Sequence, residues 1–197
     1  MVEVKTYAPP PVKREEIGRY GGMGGDEQTQ ALLDECLSEA LPRLTYRVCY
    51  AVFPLARVGE ELDLGFARTS SAALRKCLEG CGEVAVFAAT VGLELDRLLA
   101  RYGRLSPAKA LLLDAVGTER AESLCDVFCA DLAAEAATEG KETTRRFSPG
   151  YGDLPLTLQR DIFRVLDPAR RIGLTLNDSL LMAPSKSVTA LVGLHCR

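Results

Sequence analysis

Residues 83–91 read EVAVFAATV, a run in which only Glu83 and Thr90 are polar. A half-exposed strand alternates apolar with polar positions, whereas an unbroken apolar run of this length, bracketed by Gly82 and Gly92, suits a strand covered on both faces. The segment is therefore expected at the centre of a sheet, and the rest of the chain must supply its neighbours and covers. Upstream, residues 45–55 alternate Tyr46, Val48, Tyr50 and Val52 with Arg47, Cys49, Ala51 and Phe53, a second strand, with Leu62, Leu64 and Phe66 as its expected hairpin partner. Ser70 or Ser71 can cap a helix running to about Cys81, stopped by Gly80 and Gly82. Downstream, a helix over 93–102 leads to Ser106-Pro107, which opens the longest periodic segment, about 108–137. That segment is apolar nearly all round, interrupted by Gly117, so it belongs in the middle of the packing.

The flanks complete the layout. Three consecutive prolines, Pro9 to Pro11, make residues 1–12 an extended arm or a short edge strand. Residues 13–20 read as a short helix, Gly21-Gly22 and Gly24-Gly25 as a connector, and Asp26 as the cap of a helix over 28–41 with Pro42 at its end. The C-terminal third reads as an irregular loop over 145–155, a helix over 156–166, a strand over 172–176, a turn-rich loop over 182–187 and a final strand over 188–194. Strands and helices intermingle without a regular βαβ beat. The expectation is α+β: a single domain with a mainly antiparallel twisted sheet, a long central helix and further helices around it.

Composition removes whole classes of function. With 47% hydrophobic and 26% charged residues the chain is an ordinary globular one, and 24 Lys and Arg against 27 Asp and Glu leave a net charge of −3, with no basic field for nucleic acid. The apolar stretches fall short of the roughly 18–20 residues of a membrane span, and no secretory signal precedes them, so a cytoplasmic location is expected. Seven cysteines within apolar-periodic segments fit reduced thiols. Cys77/Cys81 and Cys125/Cys129 are spaced four apart and would share a helix face, but zinc sites favour tighter knuckles and free Cys is ordinarily buried, so no metal site is expected. The single histidine, His195, stands near the chain end, where fraying disfavours a general base or a metal ligand. Ser148, Ser179 and Ser187 lack a histidine partner, against a hydrolase, and the N-terminal glycines lack the Lys-Ser/Thr of a phosphate loop.

The informative stretch is Arg146, Ser148, Pro149, Gly150 and Tyr151. Proline and glycine fix the backbone, a guanidinium can fork onto a carboxylate, and a phenol can stack on or hydrogen-bond to a flat ligand. Residue chemistry alone leaves two readings open, a ligand loop and a structural crossover loop. Arg145, Arg170 and Arg171 read as solvated charge, and Lys186 equally as surface or site.

RFSPGYGDLP (146–155), then a helix, then IGLTLNDSLLMAPSKSVTALVGL (172–194) resembles the activation domain of cobalamin-dependent methionine synthase. The hallmark of that family is an Arg-x-x-Pro-Gly-Tyr loop, followed by a helix, a Leu-Thr-x-Ser-like strand and a Met-x-Pro-x-x-Ser-Val turn. Residues 175–179 and 182–188 match the second half in order and spacing, residues 115–122 (AVGTERAE) resemble the family's central helix, and FAATVG (87–92) is also family-like. The resemblance spans roughly residues 83–194; it divides the chain into an N-terminal arm with a short helix, 1–25, and an activation-type domain, 26–197.

The resemblance implies a domain that binds S-adenosylmethionine and presses it against cobalamin carried by a neighbouring domain. When the cofactor has oxidised, an electron from flavodoxin or a similar donor and a methyl from S-adenosylmethionine restore methylcobalamin. Carried over position by position, Arg146 holds the ligand carboxylate and Glu122 its ammonium or ribose. Ser148, through its backbone, and Tyr151 contact the ligand, and Tyr151 with Gly150 also faces the corrin. Only the activation-like region is recognisable, so the chain is incomplete as a catalyst. The expected partner is a truncated cobalamin-dependent methionine synthase or another corrinoid protein. The family's longer members continue into a tyrosine-bearing segment that helps enclose the ligand; here the final strand is followed only by residues 195–197, and Asp153 introduces an acid after the tyrosine, which points to a compact standalone variety. A second reading is a non-catalytic docking or regulatory module that keeps the corrin-facing surface and has lost S-adenosylmethionine.

Overall fold

The computed structural model describes residues 1–22 and 26–196; Gly24 and Gly25 of the expected connector lie outside the described residues. In chain order the elements are β1 (Glu3–Tyr7), α1 (Arg14–Gly21), α2 (Glu27–Ala40), a 3-10 turn (Leu41–Arg43), β2 (Tyr46–Pro54), β3 (Ala56–Val58), β4 (Glu61–Asp63), β5 (Arg68–Thr69) and α3 (Ala72–Cys77). They continue with β6 (Glu83–Thr90), α4 (Glu94–Leu105), α5 (Pro107–Thr138), β7 (Lys141–Thr143), α6 (Leu158–Leu166), α7 (Pro168–Ile172), β8 (Thr175–Leu176), β9 (Met182–Ala183) and β10 (Ser187–Cys196).

Five strands form one antiparallel sheet in the order β1-β2-β6-β10-β7, with β6 in the middle. Its register sets Phe87 opposite Tyr50 on one side and Ala190 on the other. Because side chains alternate across a strand, the unbroken apolar run feeds two cores. Ala85, Phe87 and Ala89 join Tyr46, Val48 and Tyr50 under a layer that includes α1, α2, α4 and α5, where Phe128 packs against both Phe87 and Tyr50. Val84, Val86 and Ala88 join Leu62, Leu74, Leu158 and Ile162 on the opposite face. Removing each of the larger side chains, Val84, Val86 and Phe87, from water is worth roughly 1.5–3 kcal/mol and each alanine less, so β6 couples the two layers energetically.

Three helices, α2, α3 and α5, start at side-chain caps. Asp26 accepts from the Thr29 amide at 2.9 Å at the start of α2, and Ser71 and Ser106 cap α3 and α5. At roughly 1.5 Å per residue, the 32 residues of α5 run some 48 Å. Gly117 within it lets α4 and the 182–187 turn approach: a Cβ there would lie 2.9 Å from Lys186 Cγ and would also collide with Leu95. The proline arm is bound to α5 through its carbonyls, the groups proline retains. Arg120, fully buried, donates to Pro10 O at 2.6 Å and Pro11 O at 2.8 Å, and its charge is balanced by Glu119, which also accepts from Ser123.

Four local expectations are corrected. Leu62 and Leu64 do not sit on a strand paired with β2; β4 belongs to a separate three-stranded sheet, β3-β4-β5, that packs its apolar residues beneath the main one. The helix expected to reach Cys81 ends at Cys77, so Cys77 and Cys81 do not share a helix face. Residues 172–176 are not one strand: Pro168 starts a five-residue helix that ends at Ile172, Gly173 turns the chain with a φ of 75°, and only Thr175–Leu176 is extended, pairing with β9 in the turn region. His195 lies within β10 opposite Glu142, so its setting is a paired strand. Among the described residues no helix is long and apolar enough to cross a membrane.

Candidate functional site

The site lies where α5, β10 and the loop after β7 converge. On α5, Glu122 and Asp126 are four residues apart and so present their carboxylates on one face. The loop reaches them by being stitched to the sheet. The Phe147 amide donates to Leu191 O and the Leu191 amide to Phe147 O, both at 2.8 Å, while the Phe147 ring joins the second core. With Phe147 held inward, Arg146 reaches back to α5. One of its guanidinium nitrogens donates to Asp126 at 2.7 Å and the other to Glu122.

The turn that follows is fixed by three backbone bonds: Tyr151 N–H to Ser148 O, Leu154 N–H to Tyr151 O and Gly150 N–H to Leu154 O, at 3.2, 3.0 and 2.9 Å. Gly150 has a φ of 91°, a conformation that L side chains rarely adopt, and a Cβ there would sit 3.3 Å from Leu156. Leu154 is buried and anchors the far end. Asp153 clamps the loop to α3: it accepts from the Ser71 hydroxyl and from the amides of Ala72 and Ala73 at 2.7 and 3.1 Å. The Ser71 bond and these amides hold its carboxyl below the usual range. The acid after the tyrosine is thus a structural clasp. It leaves Tyr151 projecting at 69% exposure, a flat amphipathic group on an open face.

Beside this turn is a groove of about 420 Å³ whose walls include Glu122, Arg146, Ser148, Tyr151 and, from β10, Thr189. Four of the residues singled out in the sequence, Glu122, Arg146, Ser148 and Tyr151, therefore face one space, while Gly150 shapes the turn without lining it. The volume falls in the roughly 300–1,000 Å³ range of small-molecule sites. The charge on its walls comes from Glu122 and Arg146. Burial opposes the Arg146 charge, but the hydrogen bond to Asp126 and the field of Glu122 outweigh it and raise its pKa. Burial likewise pushes Asp126 up, and Lys13 with Arg146 more than compensates, so Asp126 stays ionised below the usual range. Beneath them Cys125 and Cys129 have thiols pushed up by burial.

Sequence reasoning missed Asp126, Gln159 and Thr189. The four-residue spacing from Glu122 would have found Asp126. Gln159, on α6, and Thr189, on β10, reach the groove only through tertiary packing. No group of three or more His, Cys, Asp or Glu with the proximity to hold a metal occurs among the described residues.

A central antiparallel sheet with a long helix on one face, and a groove whose wall carries a paired cation and anion beside an exposed phenol, characterise this α+β domain. A family model described as vitamin B12 dependent methionine synthase, activation domain, matches residues 76–197, and the chain belongs to that family. The matched stretch contains β6, α5, the 146–155 loop and β10. Among solved structures, the crystal structure of the MetH reactivation domain bound to AdoHcy is similar over 98% of this chain and 78% of that chain, with a TM-score of 0.74 at 18% identity, a likeness of fold. No curated protein matches the chain.

Proposed function

We propose that the groove binds S-adenosylmethionine and presents its methyl group to the corrinoid of a partner protein, for reductive reactivation of a cobalamin-dependent methionine synthase or another corrinoid methyltransferase. The observation that carries this reading is the Glu122–Arg146 pair on the wall of the groove. A zwitterionic amino-acid moiety needs one anion and one cation at fixed separation, and these two side chains offer both. Binding exchanges partners: the ligand carboxylate takes the Arg146 nitrogen now held by Glu122, and the freed Glu122 accepts from the ligand ammonium. Asp126 keeps the other guanidinium nitrogen and so holds the fork in place during the exchange. The backbone of Ser148 borders the ligand, and the rigid Gly150 turn holds Tyr151 where a flat macrocycle can lie against it.

The residues fit a corrin partner in two respects, an exposed aromatic face and a groove opening beside it. When such a corrinoid is docked it supplies the nucleophilic centre that accepts the methyl, after one electron from a flavodoxin-like or similar donor; the sulfonium leaves as the neutral thioether S-adenosylhomocysteine. In this reading residues 26–197 carry the activation-type domain, the chain acts in the cytoplasm as one component of a methyltransferase, and cobalamin is its partner's cargo.

The test supplies an oxidised corrinoid protein, a chemical reductant and S-adenosylmethionine, and follows the visible spectrum. The expected result is methylated cofactor formed only when the chain is present. A partner that is methylated equally without the chain contradicts the reading. The Glu122–Arg146–Asp126 cluster is also self-satisfied without a ligand, which suits the alternative of a docking or regulatory module. Retained complex formation with the corrinoid protein, together with no binding of S-adenosylmethionine, would select that alternative.

A further inference from the structure

The wall of the groove also carries a polar group that protein contacts leave unsatisfied. Gln159 is 6% exposed and lines the groove, and its Oε1 has no hydrogen-bond partner. Its Nε2 donates to the Thr189 hydroxyl at 3.4 Å, a long bond, and Thr189 is itself buried. Turning the carboxamide over does not remove the problem, because the threonine hydroxyl can meet only one of its two polar atoms. A buried acceptor without a partner costs roughly 1–3 kcal/mol, and because Gln159 borders the groove, turning its carboxamide toward that space lets a ligand supply the partner.

The chemistry of the surroundings restricts that partner. Glu122 and Arg146 supply the charge of the groove wall and take up the charged part of the ligand, so the moiety assigned to Gln159 is the part that is neutral. Met182 and Val188 also line the groove and offer apolar, polarisable cover for the face of a flat ring. A carboxamide presents an acceptor and a donor side by side, the complement of the adenine edge, where an exocyclic amino group adjoins a ring nitrogen.

We propose that Gln159, oriented by Thr189, is a specificity-determining residue that reads the amino-bearing edge of the ligand's adenine. The inference rests on the groove taking S-adenosylmethionine, and it adds a discrimination: a base with oxygen in place of the amino group offers Gln159 Oε1 a second acceptor instead of a donor.

The experiment compares calorimetric affinities of the full chain for S-adenosylhomocysteine and S-inosylhomocysteine. Wild type is expected to prefer the adenine compound by about tenfold or more. Gln159→Leu is expected to bring the ratio near one, Thr189→Val to lower it partway, and Arg146→Ala to weaken both compounds alike with the ratio kept. A purely structural role for Gln159 would move the melting temperature and leave the ratio unchanged. Wild type binding both compounds equally, or Gln159→Leu or Thr189→Val retaining the full preference, overturns the assignment while the groove reading stands. Wild type binding neither overturns both.

Discussion

Replacing Arg146 with alanine removes the cation that the 146–151 loop delivers to the groove, and the structure allows its two consequences to be separated. A hydrogen bond to a charged group is worth roughly 1.5–3 kcal/mol, and each 1.4 kcal/mol is tenfold in affinity. The ligand carboxylate must, however, displace Glu122 from the same nitrogen, so its gain is a difference between two charge-assisted bonds. The low end applies, a loss of about tenfold for S-adenosylhomocysteine. The second consequence is on the fold. Glu122 and Asp126 would be left as neighbouring carboxylates, but both side chains are over two-fifths exposed, so water screens them and the loss is at most about 1 kcal/mol. In a chain of this size that lowers the melting temperature by about 2–4 °C. Calorimetric titration beside a thermal melt reads both. Arg146→Lys, which keeps the charge and loses the planar fork, should fall between wild type and alanine. A dissociation constant within twofold of wild type for Arg146→Ala would refute the assignment of Arg146 to the ligand.

Three further outcomes concern the frame that holds the groove. Arg120→Met should cost about 3–5 kcal/mol in a denaturant titration, because Glu119 would be left buried without its counter-charge and the carbonyls of Pro10 and Pro11 without their donor; a loss below 1 kcal/mol would show that the proline arm is not held there. Gly150→Ala should cost about 1–2 kcal/mol for the positive φ and should also weaken ligand binding, because Tyr151 and Ser148 shift with the turn. Asp153→Ala should lower the melting temperature at neutral pH. Since the folded state holds the Asp153 carboxyl below its ordinary 3.8, that contribution is present above this value and is lost as pH falls through the folded one. The difference between wild type and variant should therefore shrink in acid, and a pH-independent difference would count against the clasp.

What was legible in the sequence follows from which residues act locally. The run over 83–91 placed β6 at the sheet centre because burial on both faces leaves a mark that needs no knowledge of partners. Ser106-Pro107 and the all-round apolar segment behind it placed α5 for the same reason. The partner of Leu62 and Leu64 was not legible. Their alternation fits a strand, but nothing in it says whether that strand joins the main sheet or, as observed, packs beneath it as part of β3-β4-β5. Residues 172–176 failed differently: Ile172, Leu174 and Leu176 mimic a strand, while Pro168 and Gly173 set the ends of a short helix too brief to show periodicity.

At the site, Arg146, Ser148, Gly150 and Tyr151 are contiguous and could be read together, and Glu122 came from a helix motif. Asp153 looked like a departure, and only the fold shows it spanning to the start of α3. Gln159 and Thr189 are thirty residues apart on different elements, and the unsatisfied acceptor between them has no counterpart in sequence.

The central claim is that one groove, bounded by the 146–151 loop, α5 and β10, receives S-adenosylmethionine. Backbone amide resonances of the labelled 21.3 kDa chain, titrated with S-adenosylhomocysteine, test it most directly. The account predicts saturable shifts clustered at Phe147, Ser148, Gly150, Tyr151, Val188 and Thr189 and at Glu122 on α5. Shifts confined to other surfaces, or none at millimolar ligand, would contradict it.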